Sequence, residues 1–227
     1  MSITLSVIIP VLNEAAGLAA TLGDLQPLRA RHGELIVVDG GSDDDSPRLA
    51  VPLADRVVSA PRGRALQMNA GAALARGEML WFVHADTRIP PAVLERLLAL
   101  APGANWGRFD VRLSGDLPML RVVETLMNFR SRYTGIATGD QGIFVRRALF
   151  ESLGGFPVIP LMEDIALSKR LRRHAWPLCP RERLVTASRR WERHGVWRTI
   201  GLMWRLRLAY FLGVAPETLA RRYYGRR

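Results

Sequence analysis

Three short β-rich runs, SVIIPV (6–11), ELIVVDG (34–40) and EMLWFVHAD (78–86), are separated by stretches of helical apolar spacing at 14–25 and 64–76. Strand, helix and strand in that order call for a parallel sheet with helices packed on its faces. In open sheets of this kind ligands collect at the carboxyl ends of the strands. The residues to inspect are therefore Asn13 and Glu14, then Asp39 to Asp45, then His84 to Asp86. All three strand ends carry carboxylates, which a structural need alone does not require.

A chain of 227 residues that is 48% apolar has enough material for one large domain with a sizeable core. The single cysteine, Cys179, excludes an internal disulfide framework and any Cys-cluster metal site. MSITLSVIIPVLNE lacks a basic leader and its apolar run stops at Pro10, so it reads as a first strand rather than a signal peptide. A cytoplasmic protein is expected. The second half breaks the alternation. Residues 106–113 (WGRFDVRL) and 142–147 (GIFVRR) look like further strands, residues 117–133 like a helix opening at Pro118, and 163–173 like another helix.

The net charge of +11 is unevenly placed. Residues 169–227 hold 16 Lys or Arg against Glu182, Glu192 and Glu217, a net +13. Such a segment suits nucleic acid, anionic lipid or a phosphorylated substrate, or is simply a solvated Arg-rich face. The chain divides into one α/β domain over 1–190 and a basic helical tail over 191–227. Along 196–212 the tail places Trp197, Ile200, Trp204, Leu208 and Phe211 on one stripe, interrupted by Arg198, Arg205 and Arg207. Those charges exclude a membrane span. A stripe of this kind packs on its own domain, on a second subunit, or in the plane of an anionic membrane, and packing is the commoner outcome.

VVDGGSDDDS (37–46) combines a strand-end carboxylate, Asp39, with Gly40 and Gly41, whose backbone can turn sharply and approach a ligand. A tight turn followed by a helix cap explains the same residues. Neither GxxxxGK[ST] nor GxGxxG occurs, so the commonest phosphate-cradling loops are absent.

SVIIPVLNE, VVDGGSDD, GRALQMNAGAALARGEMLWFVHADT and GGFPVIPLMEDIALSKRLRR follow one another in the order and spacing of the family-2 glycosyltransferases, a resemblance covering residues 3–175. The HADT wording is shared with a small bacterial subgroup linked to arsenosugar biosynthesis. The resemblance implies a single GT-A-like, Rossmann-like nucleotide-diphospho-sugar transferase domain with a mostly parallel central sheet. It also implies a nucleoside-diphosphate sugar donor, a hydroxyl acceptor, Mn²⁺ or Mg²⁺, and inversion at the anomeric carbon. In the family an Asp-x-Asp sits where this chain has His84-Ala85-Asp86. Asp86 then keeps the metal-ligand role, while His84 contacts metal, ribose or only backbone. The resemblance places Pro10, Asn13, Glu14 and Asp39 around the nucleotide, Arg64 near the diphosphate and Asn69 between that loop and the sugar. Glu14 and Asn13 also serve as helix-capping residues on their own account.

Direct inversion needs a carboxylate to take the acceptor proton. Met162-Glu163-Asp164-Ile165 matches the family's Glu-Asp pair, with Asp164 as base and Glu163 orienting it or the acceptor; a first-turn acidic pair favoured by the helix dipole is the plain alternative. Gln141, with Asp140, stands where the family meets sugar hydroxyls, or else forms an ordinary turn. SRRWERHG (188–195) partly resembles an Arg-Trp element of processive members, which makes Arg189, Arg190 and His194 donor or metal contacts. Two other readings stand beside the transferase: a nonenzymatic module binding nucleic acid or membrane through its basic tail, and a nucleotidyltransferase on a similar fold. The transferase reading expects no nucleic-acid partner, and leaves a homo-oligomer and peripheral membrane contact through the C-terminal helix open.

Overall fold

The computed structural model describes residues 5–101 and 103–225, apart from the Arg190 side chain. Strands β1 (Leu5–Val11), β2 (Glu34–Asp39), β3 (Arg56–Ser59) and β4 (Met79–Phe82) run parallel in the central sheet. Between and after them lie α1 (Ala15–Arg29), α2 (Ser46–Ala50), α3 (Arg64–Leu74), β5 (Thr87–Arg88) and α4 (Pro91–Leu100). The second half continues with β6 (Trp106–Gly107), β7 (Asp110–Leu113), α5 (Pro118–Thr134), β8 (Phe144–Arg146), α6 (Arg147–Ser152) and α7 (Glu163–Leu171). It closes with β9 (Arg183–Thr186), α8 (Arg189–His194), α9 (Val196–Phe211) and α10 (Pro216–Tyr224). The six-stranded sheet has the order β3-β2-β1-β4-β8-β6, with β8 and β6 joined antiparallel, and a small second sheet has the order β5-β9-β7.

Side chains alternate across the sheet with the period of two that a pleated strand imposes. Val7, Ile9, Val37, Met79 and Trp81 enter one core under α1 and α4, while Ile8, Ile36, Val38, Leu80 and Phe82 enter the other under α3, α6 and α7. Both faces are covered, which is why these strands read as continuous apolar runs rather than alternating ones. Gly71 of α3 lies directly on Ile8 and Val38, where a Cβ would collide with both side chains. Helix and sheet meet there at backbone distance.

The structure corrects the single strand expected over 106–113. Its first two residues pair with β8, its last four with β9 in the other sheet. The switch occurs at Arg108, which is fully buried, ion-paired to Asp110 and donating to the Asn128 carbonyl at 2.9 Å. Arg132 adds a second guanidinium to Asp110 at 3.0 Å. The third strand of the main sheet was not legible because RVVS is short and only half buried.

The tail packs back on the domain; of the expected stripe only Ile200 docks, against Leu120 and Val123, and the main contact uses the opposite face. Trp197, Trp204, Leu208 and Phe211 are 59–77% exposed. Leu206 and Leu219 instead join Leu161, Met162 and Ile165 in a small apolar cluster, flanked by Leu202, Ala209 and Tyr210. The helix is apolar on two sides, and the second side docks.

Candidate active site

The ends of β1 and β4 open into a cleft of about 860 Å³. Pro10, Glu14, Arg64, His84 and Asp86 line it, and Arg189, Trp191, Thr199 and Tyr224 bring α8, α9 and α10 to its wall. Two separate stretches of chain, the strand ends and the tail, therefore enclose one space.

The strand-end loops are held by their own polar groups. Asn13 adopts a left-handed backbone (φ 56°) and its Oδ1 accepts the Asp43 N–H at 2.8 Å, while its N–H donates to the Ser42 hydroxyl at 2.9 Å. Asp39 accepts the Gly41 and Ser42 N–H groups and the Ser42 hydroxyl. Buried Gln67 donates to the Val11 and Val38 carbonyls, bridging the ends of β1 and β2. Asn69 clamps both backbone groups of Phe156 at 2.8 and 2.9 Å. Asn13, Asp39 and Asn69 thus shape the loops around the cleft, with their side-chain oxygens engaged by backbone or hydroxyl groups.

Gln141 departs from its expected sugar contact. It is fully buried, donates to the Ser131 hydroxyl at 2.8 Å and accepts from the Thr138 N–H at 3.2 Å. An amide consumed in this way fixes the Thr138–Gly142 turn from inside.

Asp86 and Glu14 share a single cation. Arg189 Nη2 lies 2.8 Å from Asp86 Oδ2 and 3.0 Å from Glu14 Oε2, and these hydrogen bonds hold the guanidinium above its ordinary pKa. Among the described residues no group of three His, Cys, Asp or Glu side chains is placed to hold a metal. Mg²⁺ and Mn²⁺ need few protein ligands where substrate phosphates complete the shell. A positive charge already stands at Asp86, so the donor set fits an ion that arrives with a diphosphate and does not fit a preformed cage.

His84 does not stand with Asp86 in this arrangement. Its Nδ1 is 3.3 Å from Asp140 Oδ1, and its Nε2 is buried without a partner against Gly139, where a Cβ would strike the ring. Desolvation acts to raise Asp140, but the His84 hydrogen bond and the charges of His84, Arg64 and Arg130 outweigh it and hold this carboxyl below its usual range.

Glu163 and Asp164 open α7 directly after Met162, a non-glycine residue in the left-handed region (φ 72°). That backbone costs of order 1–3 kcal/mol and persists only where packing enforces it. Met162 is buried in the tail cluster, which supplies the packing. Asp164 Oδ2 accepts the Gly139 N–H at 2.9 Å and Oδ1 the Ile165 N–H at 2.7 Å. Burial, and then the charge of Glu163, raise Asp164 to about 6. Glu163 is buried and 3.5 Å from Arg64 Nη1. Desolvation works to lower Arg64, yet Glu163, Tyr224, Asp164 and Asp140 leave it above its ordinary value. Arg64, His84, Gly139, Glu163 and Asp164 line one inner recess of the site.

Of the tail candidates, Arg189 reaches the cleft, His194 is exposed at the end of α8, and the side chain of Arg190 lies outside the described residues. Asp140 gained a partner that its turn did not announce. Arg130 of α5 was not singled out at all; it is half-buried, has an unpartnered Nη2, and lies in the field of Asp164 and Asp140, with burial pushing its pKa down. In a chain with this many arginines, no sequence signal separates it from the rest.

Residues 6–153 match the model described as glycosyl transferase family 2. The chain belongs to that family. Among family-2 relatives, a beta-monoglucosyldiacylglycerol synthase of Trichormus variabilis is 23% identical over 222 residues, covering 85% of this chain and 47% of the relative. The chain thus spans about half the length of that curated relative. A mannosyltransferase from Pyrobaculum calidifontis, in complex with GDP-Man and Mn²⁺, superposes with a TM-score of 0.66 at 22% identity over 96% of this chain and 68% of its own. S. aureus TarS in complex with UDP-GlcNAc gives 0.66 at 17% identity, over 81% of this chain and 58% of that one. These likenesses show the GT-A fold, an α/β architecture with a mostly parallel central sheet.

Proposed function

We propose that this family-2 chain transfers a sugar from a nucleoside-diphosphate donor to a hydroxyl acceptor, with inversion and with a divalent cation carried on the diphosphate. The observation that carries the reading is Asp164, a carboxylate raised to about 6 in the recess beside Arg64 and His84. A base with a pKa near the working pH combines availability with driving force. As the acceptor oxygen bonds to the anomeric carbon, Asp164 takes its proton, and the bond from that carbon to the diphosphate oxygen breaks with its electron pair on the diphosphate. Arg189, released from Asp86 and Glu14, and Arg64 neutralise the charge that develops there. A bound Mg²⁺ or Mn²⁺, held by Asp86, supplies the same electrostatic help to the leaving group. Glu163 holds Arg64 and keeps Asp164 basic through like charge.

The relatives named for glucosyl and mannosyl transfer and the complexes with GDP-Man and UDP-GlcNAc support a nucleotide-sugar donor for this chain. Family membership favours this reading over both a nonenzymatic module and a nucleotidyltransferase. Isothermal titration with UDP and GDP, with and without Mn²⁺, tests it: binding of one nucleoside diphosphate strengthened by metal is expected, and no binding of either refutes the donor assignment.

A further inference from the structure

Helix α9 carries an apolar stripe that the described residues leave uncovered. Trp197, Gly201, Trp204, Leu208 and Phe211 recur at spacings of four and three, and the four large side chains are 59–77% exposed. Leu212 extends the stripe at 71% exposure. Helix α5 repeats the pattern with Val122, Leu126, Phe129 and Tyr133, 49–67% exposed, and Phe129 stacks on Tyr133 with ring centroids 4.1 Å apart. On their inner sides the helices share one cluster, in which Leu120, Val123 and Met127 meet Val196 and Ile200. Apolar surface of this extent on neighbouring helices marks an interaction site.

Charge decides what covers it. Helix α9 contains Arg198, Arg205 and Arg207 and no acidic residue, and Arg198 and Arg205 are exposed beside the stripe. The only acid on α5, Glu124, is buried and paired with Arg121 and Arg183. A second copy of the same face would bring arginine against arginine. An anionic bilayer answers both features, because its acyl boundary accepts the Trp, Leu and Phe side chains while its headgroups pair with the arginines. No helix among the described residues is long and apolar enough to cross a membrane, so α9 meets the lipid lengthwise.

We propose that α9, with α5 beside it, lies in the headgroup region of an anionic lipid surface with the Trp197–Phe211 stripe facing the acyl chains. Thr199 and Met203, about half a turn round the same helix from the stripe, line the cleft, so the helix that docks is also a wall of the site. The docking concerns the surface alone and holds whether or not the cleft transfers sugar.

Flotation of the full chain with phosphatidylglycerol–phosphatidylcholine vesicles, against phosphatidylcholine alone, tests it, with UDP and GDP binding measured in parallel as a control on the cleft. Binding to the anionic vesicles, weakened by salt and accompanied by blue-shifted tryptophan emission, is expected. Trp204→Glu combined with Phe211→Glu alters only exposed side chains and should cut vesicle binding by at least about tenfold with the melting temperature and nucleotide titration unchanged. The proposal fails if the wild-type chain stays unbound on both vesicles, or if the double variant binds as well as wild type. It fails equally if light scattering shows a dimer that the double variant abolishes, since a second copy then covers the stripe.

Discussion

Asp164 sits where its neighbours oppose its ionisation, and that opposition has a measurable sign. With its pKa near 6, kcat/KM should rise about tenfold per pH unit below that value and flatten above it. A profile that is level from pH 5 upward would remove Asp164 as the base. Asp164→Asn should lower turnover by about 10²- to 10⁴-fold and leave nucleoside-diphosphate affinity unchanged in the titration. Stability runs the other way. A carboxyl raised above its ordinary value favours folding while protonated, and that contribution is lost as pH climbs from the usual carboxylate range through about 6. Asn cannot accept both the Gly139 and the Ile165 N–H, so the Asn variant removes the ionisation cost but strands one donor, and its melting temperature at neutral pH should stay close to that of wild type. Arg189 offers a second handle: Arg189→Ala frees Asp86 and Glu14, so Mn²⁺ should bind the nucleotide-free protein more tightly, read by the paramagnetic signal of free Mn²⁺. Unchanged metal affinity would show that the guanidinium and the ion do not compete. The Glu163-Asp164 pair stood out only through the family motifs around it, because an acidic pair in a first helical turn is otherwise explained by the helix dipole. The His84–Asp140 contact was not legible in the sequence, since the residues lie on separate loops and only the fold sets which way the ring points.

Elements were easier to read than their partners. The alternation of apolar runs and helical spacing located β1, β2, β4, α3, α5 and α7 within a few residues, because period two and period 3.6 are properties of the local chain. Residues 106–113 defeated the same logic: a strand that changes sheets keeps its pattern, and the cause, the buried Arg108 with Asp110, is a tertiary contact. Asp110→Asn should therefore cost about 3–5 kcal/mol in urea unfolding, because it leaves the buried Arg108 charge and its neighbour Arg132 without their anion. A loss below about 1 kcal/mol would mean that the cluster is better solvated than its burial indicates. Helix α9 misled for a related reason. Its sequence supports an apolar stripe on each of two sides, and periodicity alone cannot say which one docks.

On the scale of the whole molecule, the cleft is a joint product of the sheet and the tail. The small cluster of Leu161, Met162, Ile165, Leu206 and Leu219 helps hold the tail across it, together with the contact of Val196 and Ile200 with α5. Leu219→Ala removes a fully buried side chain there and should cost about 2–5 kcal/mol by denaturant titration, with the donor KM rising as the wall containing Tyr224 loosens. An unchanged KM would detach the tail from donor binding. Composition could mark residues 169–227 as basic, but not show that they and the strand ends enclose one space, because a closing contact between distant segments leaves no local period.

Met162 and Ile165 belong to that cluster and flank Glu163 and Asp164 on either side. A genetic screen scoring lost turnover would consequently group Leu219 with Asp164, although one supports the proposed base and the other is it. Melting curves separate them, since the first substitution lowers the transition and the second leaves it close to that of wild type.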